Sequence, residues 1–64
     1  MYAILSDCTP NCGTVEAISE NAGELIDLCK DDTWRAIRIT SGAVVGDRID
    51  VDWDSQAVNL SDCL

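Results

Sequence analysis

The sequence contains no histidine, so it lacks the side chain that most often acts as a general base near neutral pH. Lysine and arginine together number four, which leaves few cations to lower the pKa of a cysteine thiol. A nucleophilic cysteine would also lack its usual histidine partner, and the chain has no glycine-rich phosphate-binding loop. We therefore expect no enzymatic activity and no cofactor.

Long apolar runs are also missing. The N-terminal stretch 1–7 has a short apolar run and no positive cluster, which predicts neither a signal peptide nor a membrane span. Without an export signal the default compartment is the cytosol, where thiols stay reduced unless they are catalytic or bind metal. We expect a cytoplasmic protein that does not bind a membrane.

Acidic residues dominate the charge of this chain. Twelve aspartates and glutamates stand against four basic residues, so the 64-residue chain carries a net charge of −8. A hydrophobic content of 47% is ordinary for a folded protein, and we expect a single compact acidic domain over residues 1–64. A chain this short buries only about 60% of its unfolded surface, and such cores usually supply no more than ~3–5 kcal/mol.

This charge bears on the choice of partner. Phosphates repel a protein of this sign, so we expect no direct binding of nucleic acid. Self-repulsion of like charges costs stability, and a surplus of this size suits a basic partner, such as a nucleic-acid-binding protein or complex. The alternative is that the acidic residues only keep the protein soluble.

The first half of the chain predicts a strand followed by a helix. The segment Tyr2–Ser6 is short and mostly apolar, and turn-forming residues follow it. Thr14 can cap a long helix that reaches Cys29. Apolar residues recur there at helical steps of three and four: Val15, Ile18, Ala22, Leu25, Ile26 and Cys29. A rival interpretation makes 14–18 a second strand and starts a shorter helix, 20–30, after a serine cap.

The second half of the chain predicts strands. Residues 33–40 are rich in β-branched and aromatic side chains, and residues 48–54 alternate between apolar and charged side chains. A short edge strand around 57–60 is a further candidate. The predicted core places the strand residues Trp53, Val51, Ile49, Ile37 and Ile39 against Ile18, Leu25 and Ile26. We expect an α+β fold in which one helix packs on a small antiparallel sheet of three or four strands.

Two rows of carboxylates follow from these elements. Asp50, Asp52 and Asp54 share one strand face, where alternate side chains stand roughly 6.5–7 Å apart, similar to successive phosphates of a nucleic-acid strand. A second row lies on the outer face of the predicted helix, at four-residue steps about 6 Å apart: Glu16, Glu20 and Glu24, with Asp27 on the same face. Such an array predicts phosphate mimicry, with all seven acidic residues in contact with a partner.

In size, charge and these two carboxylate rows, the chain resembles the small acidic inhibitors that bacteriophages encode against host nucleic-acid enzymes, including anti-CRISPR proteins and other DNA mimics. The resemblance implies a stoichiometric inhibitor that blocks a basic DNA- or RNA-binding groove of a bacterial protein or complex. The alternative is a small interaction or adaptor domain with an apolar contact surface around Trp34 or residues 60–64. Such a domain is a monomer, or a homodimer that pairs an exposed strand edge.

Metal and disulfide chemistry give further alternatives. The Asp-x-Asp-x-Asp segment 50–54 resembles the opening of an EF-hand calcium loop. Ser55 stands where glycine is needed and Ser61 where the bidentate glutamate belongs, so we expect no calcium site. The four cysteines allow free thiols, two disulfides or a zinc site, and their spacing does not decide among these: Cys8, Cys12, Cys29 and Cys63.

Overall fold

The fold is built from short strands and shorter helical segments. The computed structural model describes residues 1–8, 10–40 and 42–58. The strands are β1 Tyr2–Ser6, β2 Cys12–Ser19, β3 Arg35–Arg38, β4 Arg48–Asp50 and β5 Ala57–Val58. A 3₁₀ turn, Ala22–Glu24, leads into helix α1, Leu25–Leu28, and helix α2 spans Trp53–Gln56.

The strands form one sheet in which neighbours are antiparallel, in the order β4-β2-β1-β3-β5. The predicted α+β class is confirmed in outline, since short helices accompany an antiparallel sheet. Among the described residues the sheet has five strands, where three or four were predicted, because a segment predicted as helix became β2. No helix within the described ranges is long and apolar enough to cross a membrane.

The predicted long helix is wrong in its first half. Residues 12–19 form β2, which pairs with β1 on one side and β4 on the other, and helical structure begins only at Ala22. The cap is Asn21 rather than Ser19, because the Asn21 side chain accepts a hydrogen bond from the Gly23 amide at 2.8 Å. The rival interpretation, a second strand followed by a short helix, is closer to the structure.

A β-bulge in β2 explains why this strand has a helical pattern. Val15 pairs with Leu5 and Ile18 pairs with Ala3, so one residue more lies between the two on β2 than on β1. The register shifts at Glu16, the extra residue of the bulge. Val15 and Ile18 therefore join the same apolar cluster although they are three residues apart. A step of three is the spacing that indicates a helix when only the sequence is considered.

Apolar side chains cover both faces of the sheet. Face A carries the buried cluster Ala3, Leu5, Val15, Ile37, Ile39 and Val51, and face B carries Ile4, Leu25 and Ala36. On face A, Ala43, Ile49 and Trp53 pack against the cluster. On face B, α1 and Trp34 supply the cover. The central strand β1 contributes to both clusters, because successive side chains of a strand point to opposite faces.

Most of the predicted core is confirmed, but it is divided between the two faces. Ile18 packs on face A together with the predicted strand residues Ile37, Ile39, Ile49, Val51 and Trp53. Leu25 is fully buried on face B. Ile26 is half-buried and lines a groove at the margin of the sheet. The division follows from β2, because residues 12–19 lie in the sheet and the short α1 is the helix that packs on face B.

A tight turn leads the chain into β4. The Asp47 amide donates to the Val44 carbonyl at 3.0 Å, and Gly46 within this turn has a φ of 98°, which glycine adopts without steric cost. The Val15 amide donates to the Asp47 carbonyl at 2.8 Å, and the Val15 carbonyl accepts from the Gly46 amide at 2.8 Å. These bonds attach β4 to β2 at the point where β4 begins.

Gly13 in β2 leaves little room for a side chain. A Cβ at this position would lie 3.0 Å from the Leu5 Cβ and 3.2 Å from the Ser6 carbonyl oxygen. We expect Gly13→Ala to destabilise the protein by about 1–3 kcal/mol, as overpacking does in other cores, and to lower the urea midpoint. Gly42→Ala is the control, since no atom beyond its two chain neighbours lies within 4 Å of that Cβ position. Equal midpoints for the two variants would contradict this packing.

Candidate functional site

Four exposed aspartates lie in and beside β4. We define the acidic edge as the four exposed aspartates of residues 47–54: Asp47, Asp50, Asp52 and Asp54. Within the described residues, β4 pairs with β2 and with no other strand. The pairing continues beyond β4, because the Val51 amide donates to the Asn11 carbonyl at 2.7 Å. The backbone stays extended at Asp52, so the acidic edge is continuous up to α2.

The predicted row of three aspartates is only partly formed. Asp50 and Asp52 are alternate residues of an extended segment, as predicted, but Asp54 belongs to α2. The extended segment ends because the Asp52 side chain caps α2, accepting a hydrogen bond from the Asp54 amide at 3.2 Å. The Gln56 Oε1 in turn accepts from the Asp52 amide at 2.8 Å. Aspartate is favoured at helix N-caps and depleted in strands, so the residue type itself favours this ending.

Trp53 attaches the acidic edge to the core. Its ring packs on the face A cluster, and its indole Nε1 donates to the Pro10 carbonyl at 3.1 Å. Ile49 and Val51 pack on the same face, so their predicted common side with Trp53 is confirmed. The aspartates that alternate with these residues therefore stand on backbone held by buried side chains.

The predicted glutamate row is not formed. Glu16 is the half-buried bulge residue of β2, Glu20 is exposed just beyond that strand, and Glu24 ends the 3₁₀ turn. Asp27 is exposed on α1. Glu24 is held at the end of β2, because the Ser19 hydroxyl donates to Glu24 Oε2 at 2.9 Å. The row fails because residues predicted for one helix lie on a strand, a connection and two helical segments.

Glu24, Asp31 and Asp52 accept hydrogen bonds from neutral donors. The bonds to Glu24 and Asp52 come from a hydroxyl and an amide. Asp31 Oδ1 accepts from the amide and from the hydroxyl of Thr33, each at 2.8 Å. These bonds hold the pKa of Asp31 below its ordinary value, because they stabilise the ionised carboxylate.

Arg48 is the one basic residue of segment 47–54. Its guanidinium donates to Thr14 Oγ1 at 3.3 Å and to the Asp7 carbonyl at 3.2 Å. Four aspartates against this single arginine leave the segment with a formal net charge of −3. A segment of eight residues therefore carries a substantial share of the total charge of −8.

A groove of about 850 Å³ lies beside β3 and β5. Trp34 and Trp53 line it, together with Lys30 and Arg35, which are two of the four basic residues of the chain. Trp34, the predicted centre of an apolar contact surface, is half-buried: it packs on face B and also lines the groove. The sequence did not predict this groove, because its lining residues come from segments far apart in the chain. Trp34 was the one lining residue that the sequence indicated as a contact. The tail 60–64, the other predicted contact region, lies outside the described residues.

The cysteines show no metal centre in the ranges that the structure describes, where no three or more Cys, Asp and Glu ligands come together. Cys8 and Cys29 are free thiols, and their Sγ atoms donate to the carbonyls of Leu5 and Asp31. Partial burial raises the pKa of the Cys8 thiol above its ordinary value. Cys63 lies outside the described residues, so its predicted alternatives are unchanged.

Comparison with known proteins assigns the chain to no family. No protein-family model matches it. No curated protein matches it, and no solved structure matches it either. A function for this chain therefore has to be inferred from its own charge, backbone geometry and burial.

Proposed function

We propose that the protein is a stoichiometric inhibitor that occupies a basic nucleic-acid-binding groove of a bacterial protein or complex by phosphate mimicry. The observation that carries this proposal is the acidic edge, where four exposed aspartates lie on the continuous segment 47–54. The resemblance to phage-encoded acidic inhibitors, anti-CRISPR proteins among them, supports the same function. Inhibition of this kind requires binding alone, with no chemical step.

The spacing of the acidic edge suits a groove that normally holds phosphates. Asp50 and Asp52 are alternate residues of an extended segment, so their side chains stand roughly 6.5–7 Å apart. Asp54 continues the negative surface from the first turn of α2. Lysine and arginine side chains placed to contact successive phosphates would meet carboxylates at similar intervals.

The rigidity of this segment also supports the proposal. Val51 is buried between two of the aspartates, and Trp53 is buried in part and bonded to Pro10. Carboxylates on such a backbone lose little conformational freedom on binding, which favours complex formation. Their charge speeds association and sets specificity more than it raises affinity.

The other predicted partner-binding residues receive a different role. They lie outside the acidic edge, on β2, on the 3₁₀ turn, on α1 and between these elements: Glu16, Glu20, Glu24 and Asp27. They add to the net charge of −8, which steers a basic partner from a distance. We assign them to this long-range field and assign the direct contact to the acidic edge.

Salt and competition test the proposal. For a basic nucleic-acid-binding partner captured from bacterial lysate and purified, we expect the association rate constant to fall steeply as ionic strength rises. Screening explains the fall, since the Debye length shrinks from about 10 Å at 0.1 M salt to about 3 Å at 1 M. Nucleic acid should compete for the same site on the partner. Association that is insensitive to salt, or that persists in saturating nucleic acid, would contradict phosphate mimicry.

An apolar interaction domain is the second candidate function, and the groove lined by Trp34 and Trp53 favours it. Tryptophan is enriched among the residues that dominate binding energy at protein interfaces. Docking in this groove would depend on buried apolar area and little on ionic strength. Salt-insensitive binding in the experiment above is therefore the result that favours this second candidate.

A further inference from the structure

Two adjacent valines lie exposed at the turn that precedes β4. Val44 is 63% exposed and Val45 is 58% exposed, more than any other large apolar residue that the structure describes. Single exposed apolar side chains are common on protein surfaces, but contiguous apolar surface beside polar residues is a mark of interaction sites. We define the valine turn as residues 44–47, in which the Asp47 amide donates to the Val44 carbonyl at 3.0 Å.

The valine turn is held in place by β2 before any partner binds. The Gly46 amide donates to the Val15 carbonyl at 2.8 Å, and the Val15 amide donates to the Asp47 carbonyl at 2.8 Å. Val15 itself is fully buried, and Ala43, just before the turn, packs on the face A cluster. Valine is branched at Cβ, which restricts its χ1 angle. Contact through this turn therefore costs little conformational freedom, which favours binding.

The valine turn is continuous with the acidic edge, because Asp47 belongs to both. The first and last Cα atoms of a four-residue turn lie within about 7 Å of each other, so a partner in contact with Asp47 also lies close to Val44. A protein interface of ordinary size covers about 800 Å² on each partner, or about a fifth of the 4110 Å² accessible surface of this chain. A partner that covers the acidic edge therefore reaches the valine turn as well.

We propose that the valine turn takes the place of a nucleotide base, and that the groove which the protein blocks binds single-stranded nucleic acid. The proposal rests on the inhibitory function proposed above and names the class of groove that is blocked. Grooves for single strands combine a basic track for the phosphates with aromatic side chains on which the bases stack. In the complex the aspartates of the acidic edge meet the basic track, and Val44 and Val45 pack on an aromatic side chain of the partner.

The arrangement of the carboxylates favours a single strand over a duplex. A duplex presents phosphates on two strands and stacks its bases inside, whereas the unstacked bases of a single strand are open to aromatic side chains. The acidic edge lies on one continuous segment, and the glutamates predicted for a second row lie on separate elements. One line of carboxylates with an apolar turn at its end therefore fits a groove that holds one strand with its bases exposed.

Two synthetic peptides of equal length and charge test the apolar contact. One alternates arginine with tryptophan, and the other alternates arginine with glycine. We expect the wild-type protein to bind the arginine–tryptophan peptide roughly tenfold more tightly, since the loss of one aromatic stacking partner has an effect of this size in single-strand grooves. Isothermal titration calorimetry gives the two dissociation constants.

Substitutions in the valine turn locate the contact. The double variant Val44→Thr with Val45→Thr keeps the branching at Cβ but places hydroxyl groups in the contact, so it should lose the preference for the arginine–tryptophan peptide. The matched control, Val44→Ile with Val45→Ile, stays apolar and should keep the preference. A preference that persists in the threonine variant would overturn the proposal, because the apolar contact would then lie elsewhere, as in the groove lined by Trp34 and Trp53.

Salt separates this proposal from the inhibitory function on which it rests. Raised ionic strength should weaken the binding of both peptides by screening, whereas the threonine substitutions should affect the arginine–tryptophan peptide alone. Binding of both peptides with equal affinity and with salt dependence would leave the acidic edge in its proposed role and would refute the apolar contact. The absence of salt-dependent binding to either peptide would contradict the inhibitory function as well.

Oligonucleotide competition tests the class of groove. For the purified basic partner of the salt experiment, a single-stranded oligonucleotide should displace the protein at a lower concentration than the duplex of the same sequence. Displacement by the duplex at the lower concentration would refute a single-strand groove. Urea unfolding of the threonine variant should give a midpoint close to that of the wild type, because both substituted positions are exposed, and this excludes unfolding as the cause of lost binding.

Discussion

Neutralising the acidic edge should slow partner association about 10- to 100-fold at low salt, since electrostatic steering accounts for rate effects of this size. The variant replaces each aspartate of the edge by asparagine and changes the formal charge from −8 to −4: Asp47→Asn, Asp50→Asn, Asp52→Asn and Asp54→Asn. Asparagine caps helices as well as aspartate does, so α2 should keep its N-terminal cap. Stopped-flow or surface-plasmon-resonance measurements of the association rate constant give the result.

A matched control neutralises the other predicted partner-binding residues and reaches the same charge of −4: Glu16→Gln, Glu20→Gln, Glu24→Gln and Asp27→Asn. Both variants lose the same total charge, so they differ in the position of that charge. We expect the control to associate several-fold faster than the acidic-edge variant. Equal losses in the two variants would mean that net charge, and not the acidic edge, governs binding. Circular dichroism checks that both variants remain folded.

Leu5→Ala should leave much of the protein unfolded at room temperature. Leu5 has 0% exposure in the centre of the face A cluster, and truncation of a buried leucine to alanine costs about 2–5 kcal/mol. A core of this size usually supplies no more than ~3–5 kcal/mol in total. Urea unfolding followed by circular dichroism measures the effect.

Val44→Ala is the control for this core substitution. Val44 is 63% exposed, so its truncation should change the free energy of unfolding by less than about 0.5 kcal/mol. A Leu5→Ala protein with a cooperative transition at the wild-type midpoint would contradict the assigned core.

Local patterns predicted the elements that follow from the order of side chains within one short segment. Alternation of apolar and charged residues placed Ile49, Val51 and Trp53 on one side, and the three residues do pack on face A. The pattern predicted too long a strand, because Asp52 acts as the cap of α2. Alternation and capping are both local preferences, and the packing of Trp53 together with its bond to Pro10 favours the cap.

β2 shows where local patterns mislead. Val15 and Ile18 are three residues apart and satisfy a helical spacing, yet the bulge at Glu16 gives the same spacing to two residues on one face of a strand. The bulge forms in the pairing of β2 with β1, so its effect cannot be read from the segment alone. The same error predicted a row of glutamates on one helix. Because residues 12–19 form a strand, these glutamates lie on different elements.

By itself, the sequence determined the surplus of negative charge and the absence of histidine chemistry. It also determined that the apolar core is small and that much of the chain favours strands. These are properties of composition and of short segments. The tertiary structure alone decided which carboxylates share one edge and which are separated. That outcome depends on the bulge between β1 and β2 and on the attachment of β4 to β2, and both arise from hydrogen bonds and packing between segments far apart in the chain.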